Sequence, residues 1–202
     1  MNRFFLTVMF VIALSSVAQA QMLGNAANAI SKVVVCAACH GANGNDVIIP
    51  GAAKLGGQNQ SYLYKQLQDI KSGTRPIALM AGQLNSLSDQ DLADIATYYS
   101  SLEQPLGSTE ESMLELGQIL YRAGNADLGV AACSACHSPT GSGNNGAGYP
   151  ALRGQDTAYI ELQLRAFRDG SRNNDLAAVM QENVARLNDA EIQALASYVS
   201  GL

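Results

Sequence analysis

The sequence predicts an all-α protein built as two similar halves, and three observations carry that prediction. Apolar residues recur at helical rather than alternating spacing, the chain repeats itself along its length, and glycine- and asparagine-rich stretches separate the periodic segments in each half. No pair of segments reads as paired strands.

The helices follow in order. Over 88–102, Ser88 caps the N-terminus, Asp89 and Asp91 favour the first turn, and Leu92, Ile95, Ala96, Tyr99 and Leu102 form one apolar stripe. The end of the chain copies this pattern. There Asn188 is the cap, Glu191 completes a capping box, and Ile192, Leu195, Ala196, Val199 and Leu202 form the stripe. A middle helix spans 61–72 and stops at Gly73, and its counterpart spans 157–169 and stops at Gly170. Ser108 and Glu111 read as a capping box for the helix that opens the second half. The stretches 41–45 and 141–148 read as loops.

The duplication is visible residue by residue. At an offset of 97, Cys36 falls on Cys133, Cys39 on Cys136, Gln58 on Gln155, Tyr62 on Tyr159, Gln66 on Gln163 and Arg75 on Arg172. Beyond that point an offset of 100 pairs Met80 with Met180, Leu87 with Leu187 and Tyr98 with Tyr198, so the second half holds three extra residues. The expected organisation is a leader over 1–20, a first domain over 21–103, a linker over 104–109 marked by Pro105 and Gly107, and a second domain over 110–202. The leader has a basic start at Arg3, an apolar run from Phe4 to Leu14, and Ala18-Gln19-Ala20, the small-x-small pattern that signal peptidase accepts. Its apolar run is too short for the roughly 20 residues a membrane span needs. Cleavage after Ala20 and export to the periplasm are expected. Retention of the leader would instead give peripheral membrane association.

Four cysteines in an exported chain would ordinarily mean two disulfides. The spacing says otherwise: the cysteines form CAACH, from Cys36 and Cys39 to His40, and CSACH, from Cys133 and Cys136 to His137, and these two histidines are the only ones in the chain. C-x-x-C-H is the attachment unit for c-type haem, in which two thiols form thioethers and the adjacent imidazole reaches the iron. A thioredoxin-like pair needs a single C-x-x-C and no following histidine. A zinc site would leave the paired methionines unexplained. Two covalently bound haem c groups are therefore expected.

With both histidines committed, the sixth iron ligand is Met, a less usual Lys or Tyr, or an open site. Beyond Met22, only Met80, Met113 and Met180 remain. Met80 and Met180 follow their histidines by 40 and 43 residues and occupy matching places, whereas Met113 has no partner in the first half. A single methionine in an apolar setting is usually core filler. The matched placement makes Met80 and Met180 the expected axial ligands, and a thioether closes the iron and raises its potential. Closed iron fits electron transfer and argues against peroxide chemistry.

On CAACHG and CSACH, the stretches LGGQ and LRGQ, GTRP and GSRN, and the ends LSDQDLADIATYYSSL and LNDAEIQALASYVSGL, the whole mature chain resembles the cytochrome c4 family of periplasmic dihaem proteins. The resemblance implies two tandem class I cytochrome c domains, each wrapped around one haem, with the haem propionate edges meeting near the domain interface. It further implies an electron carrier of the respiratory chain, working between a quinol-cytochrome c reductase-type donor and a terminal oxidase-type acceptor. A cytochrome subunit of a periplasmic dehydrogenase is the alternative, and a dihaem peroxidase a third. The expected protein is a monomeric electron-transfer protein rather than an enzyme, without a nucleic-acid partner.

One departure stands out. Such domains carry a Pro before Leu-x-Gly-Gln whose carbonyl accepts a bond from the proximal imidazole. Pro150 fits, but Ala53 occupies the matching position in the first half, so His40 is expected to bond a carbonyl between Pro50 and Ala53. Arg75 and Arg172 suit either haem propionates or an exposed surface. Tyr62, Tyr159, Tyr98 and Tyr198 suit helix packing or haem contact. Cut after Pro105, the mature first half holds five Lys/Arg against six Asp/Glu, and the second half six against eleven, so the halves are electrostatically unequal.

Overall fold

The computed structural model describes residues 23–202, so the leader expected over 1–20 lies outside the described residues. The first half runs α1 (Ala26–Ala29), α2 (Ala37–His40), α3 (Gln60–Ser72), a 3-10 turn at Ala78–Met80, and α4 (Asp89–Ser100). The second runs α5 (Glu111–Ala123), a 3-10 turn at Ala126–Leu128, α6 (Ser134–His137), α7 (Thr157–Arg168), a 3-10 turn at Leu176–Ala178 leading into α8 (Val179–Val184), and α9 (Asp189–Ser200). Among the described residues the only β pairings are the isolated bridges Asn125–Val130 and Asn144–Tyr149.

Local chemistry sets most of these boundaries. Ser88 caps α4 by accepting from the Asp91 N–H while the Asp91 carboxylate accepts from the Ser88 N–H, and Asn188 with Glu191 repeats the arrangement on α9. The capping box expected at Ser108 does not form. Glu110 occupies the cap position of α5 without a side-chain cap bond, and its N–H donates instead to Ser197 Oγ of α9 at 2.9 Å. Because α5 lies against α9, a hydroxyl from the neighbouring helix is closer to hand than one from the linker. The linker is itself held there, with the Gly107 N–H donating to the Ser200 carbonyl at 2.8 Å.

Each half closes by crossing its first helical segment over its last. In the second half α5 meets α9 at Gly117, where a Cβ would sit 2.4 Å from the Ala194 carbonyl oxygen and 2.6 Å from Tyr198 Cβ. α7 packs on the same helix, and Leu120, Tyr121, Ile160, Phe167, Ile192, Leu195 and Val199 form the shared core. In the first half α1 and α3 both pack on α4, around Ala29, Val33, Leu63, Ile95, Ala96 and Tyr99.

The halves then join by a reciprocal exchange. Gln58 Nε2 donates to the Ala151 carbonyl at 2.8 Å, and Gln58 Oε1 accepts from the Ala151 N–H at 2.7 Å. Gln155 does the same to Lys54 of the first half, at 2.9 and 2.7 Å. Both glutamines and both backbone positions match at the offset of 97, so the junction has the self-complementary form of a two-fold dimer interface.

Gly117→Ala should destabilise the second half by about 1–3 kcal/mol through overpacking at the α5–α9 crossing. Chemical denaturation of the variant against the parent protein measures the loss.

Candidate functional site

A cavity of about 1400 Å³ runs through both halves and is continuous across their junction. Its walls include Leu63, Leu67 and Ile95 from the first half and Ile160, Leu164 and Leu195 from the second. His40 and Met80 line it in the first half, as do His137 and Met180 in the second, together with all four cysteines. Met113, on α5, is not among the lining residues.

The C-x-x-C-H units are single helical turns. The His40 N–H donates to the Cys36 carbonyl at 3.0 Å and the His137 N–H to the Cys133 carbonyl at 2.9 Å, which places both thiols and the imidazole along one turn. All four thiols are free. Burial pushes the Cys36 thiol up and the Cys133 thiol up to about 11, the opposite of the thiolate-stabilising setting of a redox-active pair. Among the described residues no group of three or more His, Cys, Asp or Glu side chains is placed to hold a bare metal ion.

Each imidazole is fixed by a backbone carbonyl. His40 Nδ1 lies 2.7 Å from the Ala53 oxygen and His137 Nδ1 lies 3.0 Å from the Pro150 oxygen. A carbonyl can only accept, so Nδ1 carries the proton and Nε2 keeps its lone pair for an iron. Burial lowers the pKa of both rings, against the smaller opposing effect of these carbonyl bonds, and so favours the neutral form a metal requires. Ala53 thus supplies the same bond as Pro150, and the proline ring is not needed to make it.

The residue after each histidine shows a cost of the duplication. Gly41 has φ 80° and ψ 158°, a region essentially confined to glycine, and its counterpart Ser138 adopts φ 68° and ψ 157°. Ser138 is compensated locally: its hydroxyl accepts from the Ser142 N–H at 3.0 Å, and its carbonyl accepts from the Tyr121 hydroxyl at 2.6 Å.

Arg75 and Arg172 are not on the surface; they are 5% and 8% exposed and line the cavity at the junction. Arg75 donates to Gln66 of its own half and to Tyr159 and Gln163 of the other, while Arg172 donates to its own Gln163 and Asn174 and to Tyr62 and Gln66 of the other. Burial pushes the Tyr62 phenol up, but the charges of Arg172 and Arg75 outweigh it and hold the phenol below its ordinary range. These hydrogen-bonding partners are all neutral, so two buried cations face the cavity without a carboxylate bonded to them. A haem fits this donor set: apolar walls take the macrocycle, the cysteine pairs its vinyl groups, and the guanidiniums its propionates.

The comparisons with known proteins agree. The family Cytochrome c matches twice, over residues 27–103 and 115–202. Cytochrome c4 of Azotobacter vinelandii is 41% identical over the whole of both chains. The chain belongs to the cytochrome c4 family. The crystal structure of reduced recombinant cytochrome c4 from Pseudomonas stutzeri superposes with a TM-score of 0.86 at 44% identity, covering 89% of this chain and 99% of that one. A protein of Thiomonas intermedia named thiosulfate dehydrogenase electron acceptor is 37% identical over 82% of this chain and 77% of its own. As a member of the cytochrome c4 family the protein is a dihaem electron carrier with two covalently bound haem c groups.

Sequence reasoning saw the glutamines of LGGQ and LRGQ only as matched positions, not as the junction itself. The signal available was that a matched polar residue, repeated in both halves amid apolar neighbours, needs a buried partner. Ser138 predicts an order of stability: Ser138→Ala below the parent, because the hydroxyl bond goes while the strain stays, and Ser138→Gly back near the parent, because relaxation of the backbone offsets the loss of the same bond. Each step should be about 1 kcal/mol by chemical denaturation.

Proposed function

We propose that this protein is a periplasmic one-electron carrier that receives electrons from a quinol-oxidising complex and passes them to a terminal oxidase or other reductase. In this reading Cys36 and Cys39 tether one haem and Cys133 and Cys136 the other, with His40 and Met80, and His137 and Met180, as the axial pairs. The observation that carries it is the matched set of cavity-lining groups: one carbonyl-fixed imidazole and one methionine in each half, around a single continuous apolar cavity. When bound, each haem iron supplies the change between ferric and ferrous states. The chain holds each imidazole in one tautomer, offers a thioether that favours ferrous iron, and keeps water from the cavity with apolar walls. The buried guanidiniums of Arg75 and Arg172 at the junction would hold the haem propionates as their charge partners.

Replacing Cys36 and Cys39 together by Ala should leave one covalent haem of two, and the same change at Cys133 and Cys136 should remove the other. Intact mass of the exported protein reads the count. Two haems retained after either pair of changes would overturn the attachment.

Docking follows from charge. The second half carries a balance of −5 against −1 for the mature first half, so a basic redox partner approaches through the second domain while a different partner uses the first. Glu110, Glu111 and Glu115 are exposed, whereas Asp189 is engaged by Arg165 and Arg168 and is a poor site for a charge change. Lysine at those three glutamates should slow association with a basic partner by about tenfold at low salt, and the effect should fade as salt rises. Lysine at the exposed Asp89 and Glu103 of the first half should do little. Equal slowing from both halves, in stopped-flow measurements, would exclude the assignment.

The relative named as a thiosulfate dehydrogenase electron acceptor favours a second reading, a cytochrome subunit serving a periplasmic dehydrogenase. Purification of the native protein separates the two: a subunit travels with its dehydrogenase and a shuttle travels alone.

A further inference from the structure

The two methionine loops are built differently, although both methionines line the same cavity. In the first half Arg75 leads directly through Pro76 into the 3-10 turn, and the Met80 N–H donates to the Ile77 carbonyl at 2.9 Å. In the second half the three extra residues fall between Arg172 and Met180. There the Met180 N–H donates to Asp175 Oδ2 at 2.7 Å, the Gln181 N–H reaches the same oxygen at 3.2 Å, and Gln181 Nε2 donates to Asp175 Oδ1 at 2.8 Å. One carboxylate therefore takes three donors from the residues at and beside the methionine. The backbone between them is strained, with Ala177 at φ 53° and Ala178 at φ 56°. Alanine holds such a conformation only where surrounding bonds compensate for it.

The residue before Asp175 ties this loop to the other half. Asn174 is 8% exposed, and its Nδ2 donates to Gln66 Oε1 at 2.9 Å and to Asp69 Oδ2 at 2.6 Å, both on α3. Lys65 Nζ, also on α3, donates to the Asn174 carbonyl at 2.8 Å. A continuous set of bonds thus runs from α3 of the first half through Asn174 and Asp175 to Met180. The first half has no such side chains: at the offset of 97, Ile77 and Ala78 stand opposite Asn174 and Asp175, and the loop is three residues shorter.

We propose that Asp175 is a positioning residue that clamps Met180 on the second iron, and that the first half braces this clamp through Asn174. The proposal rests on Met180 being the axial ligand. A thioether is a weak ligand on a flexible side chain, so the fraction of time it stays on iron depends on how tightly its backbone is held. Charge-assisted bonds from a carboxylate to the ligand's own N–H hold it more firmly than a turn carbonyl does. Methionine dissociation is consequently rarer at the second haem than at the first.

The test uses the full-length diheme protein with Asp175→Ala, Asp175→Asn, Asn174→Ala and, in parallel, Met180→Ala. Three quantities are read: the ferric methionine-to-iron charge-transfer absorbance, the two reduction potentials, and the rate of imidazole binding to the ferric protein. Asp175→Ala should speed imidazole binding at one haem by about tenfold, the population change expected from losing a charge-assisted bond. It should lower that haem's potential and leave the other unchanged. Asp175→Asn, which keeps one acceptor oxygen, should restore part of the effect, and Asn174→Ala should act in the same direction but less strongly. A role confined to helix capping would change denaturation without moving the spectrum, the potentials or the imidazole rate, and that result would overturn the clamp. If Asp175→Ala does not assemble with two haems, Asp175→Asn and Asn174→Ala are read instead, and parent-like values in both would overturn it equally. An effect of Asp175→Ala without any from Asn174→Ala would overturn the brace. Met180→Ala that keeps the full charge-transfer absorbance would show that the ligand assignment itself is at fault.

Discussion

Two glutamine side chains set the geometry at the centre of this protein. Gln58 and Gln155 are 5% and 2% exposed, and each both donates to and accepts from one backbone position of the opposite half. A buried carboxamide left unpaired is costly, so the pairing admits one register of the two halves and rejects its neighbours. From that register follow the continuity of the cavity, the facing of α3 and α7, and the burial of both arginines. The junction therefore does for one chain what a two-fold interface does for two copies, and the repeat in sequence becomes a symmetry in space.

Symmetry at the junction coexists with asymmetry around the histidine and methionine of each half. Ser138 stands in a backbone conformation that Gly41 occupies without strain, and Ala53 replaces a proline while keeping the carbonyl bond to the imidazole. The longer methionine loop of the second half gives one methionine a carboxylate partner that the other lacks. Each difference leaves the matched histidines and methionines in place and changes the bonds around them. Such outer contacts are the means by which a protein separates two otherwise equal metal centres.

Electrostatics divide the molecule by depth. At the surface, charge is concentrated on the second half, where it bears on encounter with partners. In the interior the sign reverses: Arg75 and Arg172 converge on the carboxamide oxygens of Gln66 and Gln163, with two phenols as further acceptors. Two like charges buried together are unfavourable unless an anionic group faces them. In the proposed reading haem propionates are that group, which would couple the domain junction to the cofactor sites.

The sequence by itself determined the all-α class, the duplication, the two attachment units and the pairing of Met80 with Met180. These are local or periodic features: a cap and its box at Ser88 and Asp91, a stripe of apolar residues, or a five-residue motif is complete within one segment of chain. The tertiary structure decided what needed two segments at once. Ser108 looked like the cap of α5, but packing on α9 gave that place to Ser197. Arg75 and Arg172 were compatible with the surface until the reciprocal pairing of the halves buried them. The three extra residues of the second half were countable in the sequence, yet that Asn174 reaches α3 depends on contacts across more than a hundred residues, which no local pattern encodes.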